Sequence, residues 1–577
     1  MLHRGPDDSG IYSDGPCTLG QVRLAVIDTT DAAKQPMTID GVTIVYNGEI
    51  YNFIEERKIL ESKNIRFKSH SDTEVLLSMY LHYGEKFLER IRGMYAFAIW
   101  DSKKKKLICA RDPLGIKPFL YSFNSKEFMF ASEIKSLLAS KIVSKEIDRQ
   151  SLKYLLQRGS VPQPRSILKN VKSLLPGEVL TIENGKEPVI EKFHVMKSGR
   201  LNLKGVDWQE LTSLCRDKIS DCLSRQMISD VPLGAFLSGG IDSSLLVALM
   251  AQKHNKVRTF SVGFESGLET RSEDETDDAE EVARYLGVNH TTVIVEQNEI
   301  SDNLRAVAKG LDHPTVDGVN SWFVARAART ELTVAISGTG GDELFAGYPW
   351  FEFMRQYDSV TRIEKIKRWA RGQSFRSVFE KQYYIFDHET SNNLISGEFS
   401  DYRNPDPISR ADVLSRVSGM VLSGYTRDQL LADIDTAAMW HGLEVRVPFL
   451  DEGLLDLAMS LPQESKIGGK DQTAQSGSYA STGVKRILME IGKPLLPKGF
   501  SHRAKRGFTL PFDGWLRGVL SDSMKYLLSE ETVKRRGFFQ PVEVNKIKKA
   551  FEDNQVHWTR PWLLMMAELW AQEVLDV

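Results

Sequence analysis

The chain has 577 residues, with 75 Lys and Arg against 77 Asp and Glu and a formal net charge of −2. That balance gives no electrostatic case for nucleic acid or membrane as a partner, and no apolar run approaches the roughly 20 residues of a membrane-spanning helix. Four scattered cysteines argue against a disulfide scaffold and fit a reducing, cytoplasmic setting.

In chain order, residues 18–28, 42–46, 94–100 and 106–111 are short and apolar-rich, as antiparallel sandwich strands are. Lys103 to Lys106 reads as a solvated turn between two of them. Leu175-Pro176-Gly177 and Glu183-Asn184-Gly185-Lys186 are turn signals around a further hairpin. Residues 193–207 read as a linker, which divides the chain into 1–192 and 208–577. From 208 to 345 helices alternate with short buried strands, the pattern of a doubly wound parallel sheet, and the remainder is mainly helical. Residues 468–483, rich in Gly, Ser, Thr and Gln, read as a flexible loop, with a lid as the sharper alternative.

The densest signal runs from Phe236 to Ser244. Val231–Leu237 reads as a buried strand and Ser244–Gln252 as a helix, with Ser238-Gly239-Gly240-Ile241-Asp242-Ser243 as the tight turn between them. Such a turn offers free N–H groups and the positive end of a helix to an anion. The hydroxyls of Ser238, Ser243 and Ser244 add donors. Neither a GxxxxGKS/T loop nor a GxGxxG fingerprint occurs here. Asp242 inside an anion nest repels phosphate unless a divalent cation lies between them.

A second strand, Val334-Ala335-Ile336, runs into Ser337-Gly338-Thr339-Gly340-Gly341-Asp342-Glu343. In an open α/β sheet, turns at the C-terminal strand ends face one crevice. Asp242 and Asp342 are therefore candidates to share Mg²⁺ on a pyrophosphate. A helix cap is the plain alternative for Asp342.

Ser238–Ser244 resembles the pyrophosphate loop of the PP-loop ATP pyrophosphatases, which cleave ATP between the α- and β-phosphates. Phe260-Ser261-Val262-Gly263-Phe264, the run His441 to Asp451 and His502-Arg503-Ala504-Lys505-Arg506-Gly507-Phe508 follow in order. Together they look like the synthetase domain of glutamine-dependent asparagine synthetases. The resemblance implies ATP held by Leu237, Ser238, Gly239, Gly240, Asp242, Ser243, Ser244, Ser337 and Gly338, with adenine against Val262. It implies Lys505 as a catalytic lysine. Lys485 and Arg486, on a predicted helix, read as surface groups. Where many members of the family carry Glu or Asp, this chain has Thr339, whose hydroxyl is no base near neutral pH. Glu343 or Glu352 then takes that role, or the acceptor differs.

The first third is similar to the same family's class II glutaminase domain. His3-Arg4-Gly5-Pro6-Asp7, Arg23 to Asp28, Asn47 to Asn52, Ser71 to Glu74 and Ala110 to Pro118 carry the likeness. By resemblance, Arg23 holds the glutamine carboxylate, Glu49 and Asp72 hold its ammonium, and Asn47 with the Gly48 N–H forms the oxyanion hole. A bidentate Arg and paired acids are also what an amino-acid pocket needs. The family's nucleophile is an N-terminal cysteine. This chain begins Met1-Leu2-His3-Arg4, so the expectation is a domain lacking its first strand and nucleophile, dependent on ammonia.

The expected fold is α+β followed by α/β: an Ntn-type four-layer αββα sandwich, then a PP-loop doubly wound parallel sheet with a helical C-terminal part. The expected activity is ATP- and Mg²⁺-dependent amidation of aspartate through β-aspartyl-AMP, releasing AMP and pyrophosphate, with glutamine as the nitrogen donor of the intact family and small-molecule substrates only; the resemblance allows a homodimer. The alternatives are a ligase for another carboxylate, such as a sugar acid or a peptide, and a degenerate non-catalytic partner protein.

Overall fold

Antiparallel pairing organises the first third. The computed structural model describes all residues except 125, 204, 255, 266–274, 398, 401–405 and 506–509. Its first strands are β1 (Asp8–Asp14), β2 (Cys17–Arg23), β3 (Met37–Ile39), β4 (Val42–Ile50), β5 (Gly93–Asp101) and β6 (Lys106–Arg111). They are followed by β7 (Leu120–Phe123), β8 (Phe128–Ala131), β9 (Lys172–Ser173), β10 (Glu178–Glu183) and β11 (Val189–Lys192). A six-stranded sheet, β11-β10-β6-β5-β4-β3, packs on a second layer in two pieces, the hairpin β1-β2 and the sheet β8-β7-β9.

Strand alternation sorts the side chains into two cores. Val45, Ala96, Ala98 and Trp100 enter the inter-sheet core, while Ile44, Tyr46, Tyr95, Phe97 and Ile99 face α1 (Phe53–Glu61) and α2 (Asp72–Tyr83). On the outer side, Leu120 and Met129 pack with α3 (Ile134–Ala139) and α4 (Arg149–Arg158). The result is the four-layer αββα sandwich.

The expected strand 18–28 stops at Arg23. Its guanidinium donates to the carbonyls of Ile27, Asp28 and Thr30, so the chain wraps around it, with Asp28 in the left-handed region at φ 55°.

The second half holds an all-parallel sheet of β12 (Leu233–Phe236), β13 (Arg258–Phe264), β14 (Asn289–Val295), β15 (Val334–Ile336) and β16 (Glu444–Arg446), in the order β14-β13-β12-β15-β16. Helices α5 (Trp208–Gln226), α6 (Ile241–Ala251) and α7 (Thr276–Leu286) share one apolar core. Helices α8 (Gln297–Leu311) and α9 (Val319–Arg329) supply Ile300, Leu304 and Phe323 to another, shared with the C-terminal helices. This is the doubly wound arrangement, and its strand order reverses between β12 and β15. Helix α6 begins at Ile241, not Ser244, because Gly240 already serves as its extended N-cap.

Buried ion pairs join the halves. Asp435, on helix Leu431–Trp440, accepts from Arg4 at 2.7 Å and lies 3.3 Å from Lys117. Arg4 also donates to Glu133 at 3.3 Å.

Residues 478–483 are not a free loop. Ser478 caps the short helix Tyr479–Thr482, Tyr479 is buried, and its hydroxyl accepts from Ile241 N at 3.3 Å. The polar composition that suggested flexibility supplies a cap and a buried contact instead.

Candidate functional site

The five residues proposed for glutamine line one cavity of about 770 Å³. Arg23 closes β2, Asn47-Gly48-Glu49 lies on β4, and Asp72 opens α2. Gly48 sits at φ 142°, and a Cβ there would fall 2.0 Å from Met94 O, so β4 and β5 approach too closely for any side chain. Asn47 Nδ2 and Glu49 Oε2 are buried without a hydrogen-bond partner among the described residues. Unpaired buried polar atoms on a cavity wall are what a polar ligand would satisfy.

Asp72 accepts from the Tyr46 hydroxyl and from Ile50 N, both at 2.9 Å; burial raises its pKa and those bonds oppose the rise. Burial, then the charge of Glu444, raises Glu49 well above the usual carboxylate range, opposed by Arg446, whose Nη2 lies 3.4 Å from Glu49 Oε1. Arg23 already donates to three carbonyls, so a ligand carboxylate would share its guanidinium.

None of the four cysteines lines this cavity. Cys17 and Cys109 sit in the inter-sheet core, and Cys215 and Cys222 lie on α5. Burial pushes the Cys17 thiol up to about 11 and Cys215 to about 12, and raises Cys109 and Cys222 as well.

A second cavity, of about 600 Å³, opens where the strand order reverses, the place where open α/β sheets bind ligands. Leu237, Ser238, Gly240, Asp242 and Ser243 line it from the loop after β12. Ser337, Gly338, Thr339, Asp342 and Glu343 line it from the loop after β15, with Val262 from β13 and Lys505 from further along the chain. Gly341 lets the loops touch, since a Cβ there would fall 2.4 Å from Asp242 Oδ1.

Gly239 and Ser244 do not reach the cavity wall. Ser244 is 0% exposed, and its hydroxyl lies 3.5 Å from Ser238 O, behind the loop. Ser243 Oγ accepts from Ser238 N at 3.0 Å and so braces the turn. Glu352 is also off the wall, paired with Arg355 at 2.8 Å and Lys470 at 3.1 Å. Arg506, Gly507 and Phe508 lie outside the described residues.

Lys485 corrects the surface assignment. Its side chain is 1% exposed and ion-paired with Asp242 Oδ2 and, at 2.8 Å, with Asp342 Oδ1. The residue takes a left-handed conformation, φ 53° and ψ 33°, as N-cap of helix Arg486–Gly492. It therefore leaves the helix surface and enters the crevice. Arg486 stays half-buried, its guanidinium 4.3 Å from the Trp208 ring centre.

Lys505 Nζ completes the cluster, 2.8 Å from Asp342 Oδ1. Burial opposes ionisation of Asp342, but Lys485 and Lys505 outweigh it and hold the carboxyl at about 2. For Asp242, burial outweighs Lys485, Asp342 adds repulsion, and the pKa rises. Burial would lower Lys485, yet the two carboxylates win and raise it. Asp242 Oδ1 is buried without a hydrogen-bond partner among the described residues. No cluster of three or more His, Cys, Asp or Glu side chains suited to a metal occurs among the described residues. A hard cation here would take two carboxylates and complete its shell with phosphate oxygens and water.

The same wall carries further acids. Burial, then the charge of Asp342, pushes Glu343 up to about 7, and Glu343 accepts from the Tyr348 hydroxyl at 3.0 Å. Burial, then Asp433, brings Asp317 to about 6. Asp433 accepts from Thr315 at 3.1 Å and lies 2.9 Å from His313. Lys485 and Lys505 are the only cations among the described lining residues. Sequence reasoning missed Lys485, Asp317, Asp433 and Tyr348. Only Lys485 had a usable signal: two acids facing a phosphate site demand more than one counter-charge.

An αββα sandwich with a cavity walled by Arg23, Asn47, Glu49 and Asp72, joined to a PP-loop sheet, defines a glutamine-amidotransferase type of ATP-dependent ligase. The family model for asparagine synthase matches residues 214–572, and that for a glutamine amidotransferase domain matches 1–194. The chain belongs to the asparagine synthase family. It is 32% identical to asparagine synthetase (glutamine-hydrolyzing) 1 of Bacillus subtilis (strain 168), over 92% of this chain and 85% of that protein. Asparagine synthetase (glutamine-hydrolyzing) 3 of the same organism is 30% identical, over 92% and 87%. Amidase chyE of Penicillium rubens is 26% identical, over 95% and 89%.

Proposed function

We propose that the chain amidates a carboxylic acid through an acyl-adenylate, with aspartate as acceptor. ATP lies across Ser238–Ser243 and Ser337–Gly338, its adenine against Val262. The aspartate β-carboxylate attacks the α-phosphorus to give β-aspartyl-AMP, and pyrophosphate leaves. Ammonia then displaces AMP, and asparagine forms. Lys485 and Lys505 stand where charge develops on the leaving pyrophosphate. Asp242 and Asp342 would hold Mg²⁺, which would offset the charge of the same phosphates. Glu343, with its carboxyl near 7, is suited to take a proton from the attacking ammonia; Thr339, hydrogen-bonded to Ser337 Oγ at 3.0 Å, is not. The observation that carries this reading is the pairing of two carboxylates and two lysines at the reversal of the sheet.

In the other cavity, Arg23 would hold the glutamine carboxylate, Glu49 and Asp72 its ammonium, and Asn47 Nδ2 with the Gly48 N–H its developing oxyanion. With all four cysteines buried away from that cavity, the chain's own thiols supply no nucleophile. Hydrolysis of glutamine there would need a nucleophile other than these four thiols.

One observation favours a second reading, an acceptor other than aspartate. Both lining lysines are committed to Asp242 and Asp342, which leaves aspartate's α-carboxylate without a counter-charge among the described residues. Pyrophosphate release with ammonium across a panel of carboxylic acids separates the two. Release with aspartate supports the first reading, release only with a sugar acid or peptide supports the second, and no release with any acid contradicts both.

A further inference from the structure

The near-neutral charge of the whole chain conceals one local exception. Helix α10 (Gly341–Leu344) leads into α11 (Pro349–Asp358), which is followed by α12 (Arg362–Ala370). Amphipathic helices of globular proteins turn their apolar stripe to the core. Helix α12 does the reverse: Ile363 and Ile366 are 69% and 60% exposed, and Ala370, one turn beyond Ile366, is exposed as well.

Among the described side chains of α12, the inward face is polar. Arg368 donates to Tyr357 O at 2.9 Å, sits 4.5 Å from the Tyr357 ring centre and lies 3.6 Å from Glu364. Lys365 pairs with Asp358 at 2.8 Å. These charged contacts hold the helix to α11, while Ile363 and Ile366 stay in water. One turn before Tyr357, on the same face of α11, Phe353 is 44% exposed.

Basic residues border the outward stripe. Lys367 and Arg371 are exposed and have no acidic partner among the described residues. An apolar stripe edged by cations matches the boundary between acyl chains and anionic headgroups. A second copy of this chain fits less well. A two-fold interface sets the same patch against itself, and Lys367 and Arg371 would meet their own counterparts.

We propose that α12 is a peripheral anchor that seats Ile363 and Ile366 in the surface of an anionic lipid bilayer, with Lys367 and Arg371 on lipid phosphates. No helix among the described residues is long and apolar enough to cross a membrane, so the attachment lies in the plane of the surface. Salt weakens it, because its charged part is screened.

The test is co-sedimentation of the full chain with vesicles of phosphatidylcholine, with and without phosphatidylglycerol. The wild type sediments with the anionic vesicles and is released by salt. The Ile363→Ser/Ile366→Ser variant loses roughly 10-fold or more of the partitioning. The Lys367→Glu/Arg371→Glu variant loses the preference for phosphatidylglycerol. Unchanged circular dichroism and unchanged pyrophosphate release in solution show that both variants are folded. Absence of vesicle binding by the wild type overturns the proposal, as does equal binding by all three proteins. Self-association abolished by Ile363→Ser/Ile366→Ser overturns it too, and assigns the stripe to a second copy.

Discussion

Replacing Lys485 with Met tests the charge cluster at its centre. The ammonium is almost fully buried and serves both Asp242 and Asp342, while Lys505 reaches only Asp342. Removing one partner of a buried ion pair costs about 3–5 kcal/mol, because the other charge is left uncompensated. The stranded group is Asp242, whose pKa burial already raises. Lys485 has a folded pKa above its unfolded value, so its contribution is complete at neutral pH and disappears only in strong base. In the variant, Asp242 rises further, and stability returns as pH falls toward the unfolded aspartate value of about 3.9. Denaturant unfolding across a pH series measures this, and Asp242→Asn in the Lys485→Met background should recover much of the loss. Pyrophosphate release should fall by about 10²–10³-fold, the scale for losing a preorganised charge at a reacting centre. A Lys485→Met protein with the wild-type denaturation midpoint and wild-type turnover would refute the reasoning.

Glu343 carries a pH signature. Its folded pKa of about 7 exceeds the ordinary 4.5, so the folded state keeps a proton that the unfolded state has released. Stability therefore declines as pH rises through that window, by about 3 kcal/mol, and Glu343→Gln removes the slope; calorimetric melts at several pH values check it. Arg446→Met leaves Glu49 and Glu444 facing each other without their shared cation, at a cost of about 3–5 kcal/mol, read by denaturant titration. All four thiols should resist a disulfide reagent at about pH 8 in the folded state and react together on unfolding, since burial raises every one. A single fast-reacting thiol would identify a nucleophile that the buried positions exclude.

Both site loops were legible because their chemistry is local. A strand, a Gly-rich turn and an acid are contiguous in Leu237–Asp242 and again in Ile336–Asp342, and β15 falls on the expected Val334–Ile336. The sandwich was legible through alternation: the expected strand 94–100 became Gly93–Asp101. What escaped depends on contacts distant in sequence or on backbone hand. Lys485 lies more than 240 residues from Asp242, and its left-handed φ cannot be read from its neighbours. The turn that ends β2 is set by where the Arg23 guanidinium finds its carbonyls. Ser244 matched its motif, yet helix α6 begins early enough to bury it. Net charge concealed α12, since a local basic edge vanishes in a balanced total.

In the proposed reaction, the cluster around Asp242, Asp342, Lys485 and Lys505 supports attack of a carboxylate on the α-phosphorus of ATP. The direct measurement follows heavy oxygen from a labelled acceptor carboxylate during turnover with ammonium. One labelled oxygen should appear in AMP, with pyrophosphate as the other product. Label in inorganic phosphate, accompanied by ADP, would contradict it.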